Sequence, residues 1–277
     1  MHAATASERV RFIVHVSWRV ILIAVICVAI YGVCAYAIAP RLWRHYEHNP
    51  GLAGLAKTTT TAAGIPADPL NVGFTGTQDE LVRALIAADW SPADPITLRT
   101  SLGIVTSVLL RRADPTAPVS SLYLLGRKQD LAFEREAGRS ARQRHHVRIW
   151  KSSERSKDGR PFWIGAATFD RGVGLSHDTG QITHHIAPDI DHERAILIAN
   201  VQHTGQVLRV YQVTGVGPTL IGRNGSGDWY YTDGELSVAV LAVNNAGQRH
   251  APLRLKNPPA VTLKNRIWKW LRAILPN

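Results

Sequence analysis

The sequence predicts an α+β protein, in which an amino-terminal transmembrane helix is followed by one mixed α/β domain with a largely antiparallel sheet. An apolar run stands near the start of the chain. Beyond it, some segments carry apolar residues at helical spacing, and a series of short β-type runs is separated by turn residues. No sequence repeat with a period of about 20–50 residues is present, which argues against a solenoid or propeller.

The apolar run covers residues 20–39 and contains no charged residue. At about 1.5 Å per residue, a helix of this length spans the roughly 30 Å hydrocarbon core of a bilayer. A cleaved signal peptide is an alternative, because Ala35 and Ala37 form an A-x-A pattern, and a buried helix of a soluble core is another. The run exceeds the roughly 7–15 residues of a signal-peptide core, so we interpret it as an uncleaved anchor.

The orientation of this anchor is poorly determined by charge, since basic residues flank it almost evenly. Three precede it and three follow it: Arg9, Arg11, Arg19, Arg41, Arg44 and Lys57. Both cysteines, Cys27 and Cys34, lie inside the run, and a thiol-free domain fits an oxidising exterior. We therefore interpret the chain as a single-pass protein of the inner (cytoplasmic) membrane, with its domain on the periplasmic or extracytoplasmic side.

The net charge of +11 suggests a nucleic-acid-binding protein until it is divided by region. Residues 1–64 contribute +4 and residues 236–277 contribute +7, whereas residues 65–235 sum to zero. An excess that is confined to the two ends favours interaction with a membrane surface. It argues against a nucleic-acid groove through the domain.

Composition divides the chain into five segments. A short basic tail (1–19) precedes the anchor (20–39), and a tether rich in Gly, Thr, Ala and Pro follows (40–68). The globular domain is expected over 69–246, and a basic tail with an amphipathic helix over 247–277. Within the domain we expect helices at 80–90, 101–112 and 189–200, and strands at 70–74, 121–125, 131–133, 146–150, 161–169, 206–213 and 236–243.

The basic tail carries the apolar residues of its predicted helix on one face: Leu263, Ile267, Trp270, Leu271 and Ile274. Lys264, Arg266, Lys269 and Arg272 border that face. A basic helix that carries tryptophan is typical of segments that lie on a membrane surface. Packing of the helix on its own domain is the alternative, and the sequence leaves both open.

Residues able to form a site are concentrated between positions 142 and 194. Five histidines fall within the 41 residues 145–185, with several aspartates among and after them: His145, His146, His177, His184, His185, Asp170, Asp189 and Asp191. Neutral imidazole binds metals or transfers protons near neutral pH, and carboxylates complete either arrangement. Adjacent histidines on a strand point to opposite faces, so we expect one histidine of each pair in a given site.

We assign provisional roles within this region. His146 and His184 form the core of a binding or catalytic site, Asp170 orients or ligates, and Arg171 contacts an anion through its guanidinium. For a divalent transition metal, the candidate ligands are His146, His177 and His184. Metal-free acid–base catalysis remains open, as does a purely structural role in which the histidines donate to backbone carbonyls. The loop GRNGSGD (222–228) lacks the phosphate-loop pattern and predicts a hairpin turn.

The ordered series RQRHHVRIW (142–150), WIGAATFDRGVGLS (163–176), TGQITHHIAPDIDHER (179–194) and GRNGSGDWYYTDG (222–234) resembles the LssY carboxyl-terminal domain of bacterial membrane proteins. The likeness extends over roughly residues 39–243. It implies an envelope protein named for a secretion-associated component, whose domain also occurs joined to DedA-like or lipid-phosphatase-like membrane domains. This chain has one predicted span and lacks those modules, so no phosphatase activity follows from the resemblance.

Three functions remain for such a protein. The first is an envelope accessory that binds a ligand or partner through the histidine-rich region. The second is a hydrolase, with or without metal assistance, that acts on a lipid-derived or envelope phosphate. The third is a structural accessory of a complex with other membrane proteins. Convergence of two histidines and a carboxylate around a pocket would favour the enzyme, and side chains spread over a flat face would favour binding.

Overall fold

A computed structural model gives the fold of the chain. It describes residues 6–42, 52, 54–93, 121–137, 143–156, 158–177, 180, 182–217, 220–243 and 251–272. The helix expected over residues 101–112 lies outside these ranges. The chain divides into two compact units, residues 1–47 and residues 48–277.

The first unit contains helix α1 (Ala6–Val33), which continues through a π-helical turn at Cys34–Ile38. Its segment Trp18–Leu42 is long and apolar enough to cross a membrane, and none of that segment is buried against protein. A soluble-core helix would be covered by the rest of the chain. The exposed apolar surface is therefore consistent with an environment of lipid.

The second unit is built on a nine-stranded sheet. Most neighbours are antiparallel, with two parallel pairs. Its strands are β3 (Val72–Thr75), β4 (Ser91–Pro92), β7 (Leu131–Glu136), β8 (Arg144–Arg155), β9 (Pro161–Leu175), β10 (Ile182–Ile186), β11 (Val207–Thr214), β14 (Glu235–Leu241) and β15 (Leu253–Arg254). The order is β15-β11-β14-β3-β9-β8-β7-β4, and β10 pairs with β9. The prediction of a mixed α/β domain with a largely antiparallel sheet is confirmed.

Two helices cover one face of this sheet, α2 (Gln78–Ala87) and α3 (Ile190–His203). Their apolar residues pack with those of the sheet around Phe133, Val147 and Ile149. Helix α2 begins with a capping box, in which the Thr77 hydroxyl accepts from the Glu80 amide and the Glu80 carboxylate accepts from the Thr77 amide. These contacts fix where the helix starts.

The opposite face of the sheet is covered by a second, four-stranded sheet. It is formed by β1 (Thr58–Thr60), β2 (Pro66–Pro69), β5 (Tyr123–Leu124) and β6 (Arg127–Lys128). Ala67 and Leu124 of this sheet share a core with Trp150 and Ile164 of the large one. The sequence assigned residues 40–68 to a tether, but β1 and β2 lie in that segment, so the folded domain includes its last part.

The segment GRNGSGD forms a hairpin loop, as predicted. Strands β12 (Leu220–Arg223) and β13 (Trp229–Thr232) pair antiparallel on either side of it. Inside the loop, the Asn224 side chain accepts from the backbone amides of Ser226 and Asp228. The loop is thus held in one conformation, and Asp228 stands at its end.

The carboxyl-terminal helix α4 (Pro259–Arg272) packs on the domain with one of its sides. Val261 and Trp268 are buried, and Lys264 pairs with the buried carboxylate of Glu235. Arg272 lies 3.1 Å from Asp189 at the start of α3. Of the apolar stripe seen in the sequence, Ile274 lies outside the described residues. The others lie elsewhere on the helix and are exposed: Leu263, Ile267, Trp270 and Leu271. One side of the helix therefore fits packing on the domain, and its exposed apolar side fits contact with a membrane surface.

Candidate functional site

Strand β8 directs its two adjacent histidines to opposite faces of the sheet, as period-two alternation requires. His145 lies on the side of the helices, where its Nδ1 is 2.8 Å from the Glu193 carboxylate of α3 and its ring lies 4.9 Å from that of Phe169. His146 lies on the other side, with Arg148 and Trp150. The polar residues on this second side lie next to the apolar core beneath the four-stranded sheet.

On that side, next to the apolar core, lies a group of ionisable side chains, all of them buried except that of His184. We call it the Asp170 cluster: Asp68, His146, Arg148, Asp170 and His184. His146 Nε2 is 2.9 Å from Asp170 Oδ2, and His184 Nδ1 is 3.9 Å from the same oxygen. Behind them, Arg148 Nη1 donates to Asp68 Oδ2 at 3.0 Å. One carboxylate thus faces two imidazoles.

The pKa values of the two carboxyl groups in the Asp170 cluster are shifted in opposite directions. Burial raises the pKa of Asp68, and the nearby Asp170 and Asp228 carboxylates add to the rise, which Arg148 does not offset. Burial alone would also raise the pKa of Asp170, but the hydrogen bond from His146 and the charges of His146, Arg148 and His184 lower it overall. Two carboxyl groups with opposite shifts in one site are a feature of acid–base centres.

One ring nitrogen of His146 in the Asp170 cluster has no hydrogen-bond partner in the described part of the chain. Among the described residues, His146 Nδ1 is buried and forms no hydrogen bond, and the same holds for the hydroxyl of Thr168, its cross-strand neighbour. Burying an unsatisfied polar group costs about 1–3 kcal/mol. His184, by contrast, is 47% exposed and lies where the cluster meets solvent. The cluster therefore has a buried interior and an accessible edge.

A second group lies around the hairpin loop, and we call it the Asp228 cluster: His177, His185 and Asp228. Asp228 Oδ1 is 2.7 Å from His185 Nδ1 and 3.9 Å from His177 Nε2. The other oxygen, Oδ2, accepts from the Ile186 amide at 3.0 Å. Each residue offers a ligand atom, and these atoms lie within 4.8 Å of one another.

The structure places the residues singled out in the sequence in different locations. His146, Asp170 and His184 come together in the Asp170 cluster. His177 joins His185 and Asp228 instead, so the candidate metal ligands His146, His177 and His184 are divided between two clusters. Arg171 follows Asp170 on β9 and is exposed. No contact joins Arg171 to the cluster within the described ranges.

Comparison with known families confirms the resemblance seen in the sequence. Residues 51–236 match the family described as LssY C-terminus, which is more than half of the chain. The chain belongs to the LssY C-terminus family. No curated protein and no solved structure matches it. Both clusters lie within the LssY C-terminus match, whereas helix α4 lies beyond its end.

Sequence reasoning missed several residues of the two clusters. Arg148 could have been found, since it stands two positions after His146 on a strand and so shares its face. Asp68 was placed in the tether because its neighbours, Pro66 and Pro69, are atypical of strands. Asp228 lies 43 residues from His185, in a loop whose polar composition indicates only a turn.

Proposed function

We propose that the chain is a membrane-anchored protein whose LssY C-terminus domain binds a ligand through the Asp170 cluster. The observation that carries this proposal is the convergence of His146 and His184 on the Asp170 carboxylate. The accessible imidazole of His184 supplies an entrance. His146 Nδ1, which has no hydrogen-bond partner among the described residues, supplies an interior hydrogen-bonding atom.

Stability does not explain the cluster. A buried ion pair is often no more stable than apolar residues of the same volume, because desolvation offsets the attraction between the charges. Here Asp68 and Arg148 form one buried pair beside the buried pair of His146 and Asp170. Perturbed ionisable groups that collect in one place are typical of functional sites. This supports a binding role for the cluster.

Hydrolysis of a lipid-derived or envelope phosphate is the second candidate function. It is supported by the geometry of His146 and Asp170, in which a carboxylate lies 2.9 Å from an imidazole and orients it. That arrangement suits a histidine that accepts a proton from water. His184, on the solvent side of Asp170, is the other histidine of the cluster that can exchange protons.

One experiment separates the two candidate functions. The full-length chain is purified in nanodiscs as wild type, His146→Gln, Asp170→Asn and His192→Gln, the last being an exposed histidine outside the clusters. Native mass spectrometry detects co-purified ligands. Hydrolysis is assayed as phosphate release from phosphatidic acid and as p-nitrophenol release from bis(p-nitrophenyl) phosphate. For binding, we expect an adduct whose affinity falls about 10–100-fold in the two cluster variants and persists in His192→Gln.

The outcomes of this experiment are distinct. Hydrolysis of either substrate that falls by about 100-fold or more in the cluster variants would replace binding by hydrolysis. No adduct in any protein, or an adduct that both cluster variants retain, would contradict the binding proposal. Thermal unfolding of each variant shows whether a loss reflects the site or the fold.

We also propose that helix α4 contacts the membrane surface with its exposed apolar stripe. Trp270 is 67% exposed and Ile267 is 50% exposed, next to the exposed cations Arg266 and Lys269. Residues 236–277 contain no acidic residue, so nothing in this region repels anionic lipid. Because α1 is long and apolar enough to anchor the chain, the helix would meet such a surface at high local concentration.

A fluorescent label tests the contact of helix α4 with lipid. In a Cys27→Ser, Cys34→Ser background, a bimane group is attached at Trp270→Cys or at Thr262→Cys, an exposed position on another side of α4. Nanodiscs contain anionic phosphatidylglycerol and brominated lipid. We expect the label at position 270 to be quenched more than the label at 262. The difference should shrink at high salt, as basic residues leave the surface. Equal quenching at both positions would exclude the contact.

A further inference from the structure

The Asp228 cluster is separate from the Asp170 cluster and brings together three side chains that can ligate a cation. Its donors are two imidazoles and one carboxylate, a set that binds zinc and related divalent transition metals. Their ligand atoms already lie within 4.8 Å of one another. We propose that His177, His185 and Asp228 bind one divalent transition-metal ion.

The hairpin loop holds the carboxylate of this site in place. The Asp228 amide donates to the Asn224 side chain at 2.9 Å, and Asp228 Oδ2 accepts from the Ile186 amide. With Oδ2 held by the backbone, Oδ1 faces both histidines. A ligand whose outer contacts fix its orientation loses little freedom when it binds the metal.

The hairpin loop also forms hydrogen bonds with both segments that carry the histidines. The His177 amide donates to the Ser226 carbonyl at 2.9 Å, and the hydroxyl of Thr183, two residues before His185, lies 3.0 Å from that of Ser226. The three ligands thus come from three segments that share one loop. This is the preorganisation that a metal site requires.

A glycine on strand β9 determines which nitrogen of His185 faces the site. A Cβ added at Gly174 would lie 2.5 Å from His185 Nε2 and 2.8 Å from its Cδ2. The ring therefore packs with its Nε2 edge against the bare backbone of Gly174, and Nδ1 is left facing Asp228. This packing provides a substitution that displaces a ligand without removing it.

Exposure favours an open coordination sphere over a closed structural one. The side chain of His177 is 61% exposed and that of His185 is 18% exposed, whereas Asp228 is buried. With three protein ligands, one of them largely exposed, a fourth position is accessible to water or to a small anionic ligand. Catalytic metal sites in enzymes have this open arrangement. Metal binding at this site can be measured without knowing any reaction.

Metal titration of the full-length chain tests the site. The protein is purified in detergent without a histidine tag, freed of metal with a chelator, and titrated with Zn²⁺ by calorimetry and with Co²⁺ by visible absorption. We expect one ion per chain. Affinity should fall by more than about 100-fold in His177→Ala and Asp228→Asn, and by about 10–100-fold in Gly174→Ala.

Two matched variants make the test specific. Gly172→Ala lies on the same strand, and its added Cβ would meet no atom within 4 Å, so we expect its affinity to equal that of the wild type. His146→Gln, in the other cluster, should also bind normally. His177 is largely exposed, so His177→Ala remains informative even if Asp228→Asn fails to fold.

The proposal is overturned if neither ion binds at micromolar concentration, or if His177→Ala binds as the wild type does. It is also overturned if His146→Gln loses the metal while His177→Ala keeps it, since the ion would then belong to the Asp170 cluster. Metal binding that survives in every Asp170-cluster variant would support the inference even if the proposed ligand binding fails.

Discussion

Replacing Arg194 by methionine is expected to lower the free energy of unfolding by about 3–5 kcal/mol at neutral pH. Arg194 is buried in α3 and donates through both terminal nitrogens to Asp233, at 2.7 and 2.8 Å. It also lies 3.3 Å from Asp191. Methionine keeps the length of the side chain but removes the guanidinium that both Asp233 and Asp191 face, and Asp191 then faces Arg272 at 3.5 Å. Urea unfolding of the full-length chain in detergent, followed by circular dichroism, measures the loss.

The pH dependence of this loss has a definite sign. Burial opposes ionisation of Asp233, but Arg194 holds its pKa below the ordinary value, so the pair contributes stability above the unfolded pKa and loses it as pH falls. Without Arg194, the folded state retains protons on these carboxyls, and its stability falls as pH rises. The difference between variant and wild type should therefore be smaller near pH 5 than near pH 7.5.

An exposed pair provides the control for Arg194→Met. Arg127 donates to both oxygens of Asp130 at 2.9 Å, but its side chain is 52% exposed. We expect Arg127→Met to cost less than about 1 kcal/mol, because water already screens the pair. Equal losses in the two variants would show that burial does not determine the contribution of Arg194.

Much of the fold could be predicted from local sequence patterns. Strands β1 and β2, which were missed, lack such a pattern. Strand β9 alternates between the two cores, and α2 carries a capping sequence, so both were found. Strands β1 and β2 were missed because Thr58–Thr60 and Pro66–Pro69 contain almost no large apolar residues. Their pairing depends on the sheet beneath them, which supplies Trp150 and Ile164 to the shared core.

Strand geometry predicted only part of the candidate site. Alternation predicts that His145 and His146 have different surroundings, and the structure gives them Glu193 and Asp170 as partners. It could not indicate that Asp68 would meet Arg148 from 80 residues away. Such contacts depend on strand order, here with β3 inserted between β14 and β9. Neither composition nor spacing encodes that order.

Helix α4 contains two tryptophans with opposite expected roles. Trp268 is 7% exposed and packs on the domain, so Trp268→Ala is expected to lower the free energy of unfolding by about 3–5 kcal/mol. Trp270 is 67% exposed, and Trp270→Ala should change it by no more than about 0.5 kcal/mol in detergent. Urea unfolding followed by circular dichroism compares the two variants, which share helix, residue type and substitution.

Reconstitution in lipid is expected to give Trp270 a role that it lacks in detergent. In phosphatidylglycerol nanodiscs, loss of Trp270 should increase amide hydrogen exchange along α4, because that side chain would no longer enter the lipid interface. In detergent, loss of Trp268 should increase exchange further, since the helix detaches from the domain. If Trp270→Ala leaves exchange unchanged in both environments, α4 is a purely structural element whose exposed stripe has no lipid partner. A lipid-dependent change would show that one helix both closes the domain and contacts the membrane.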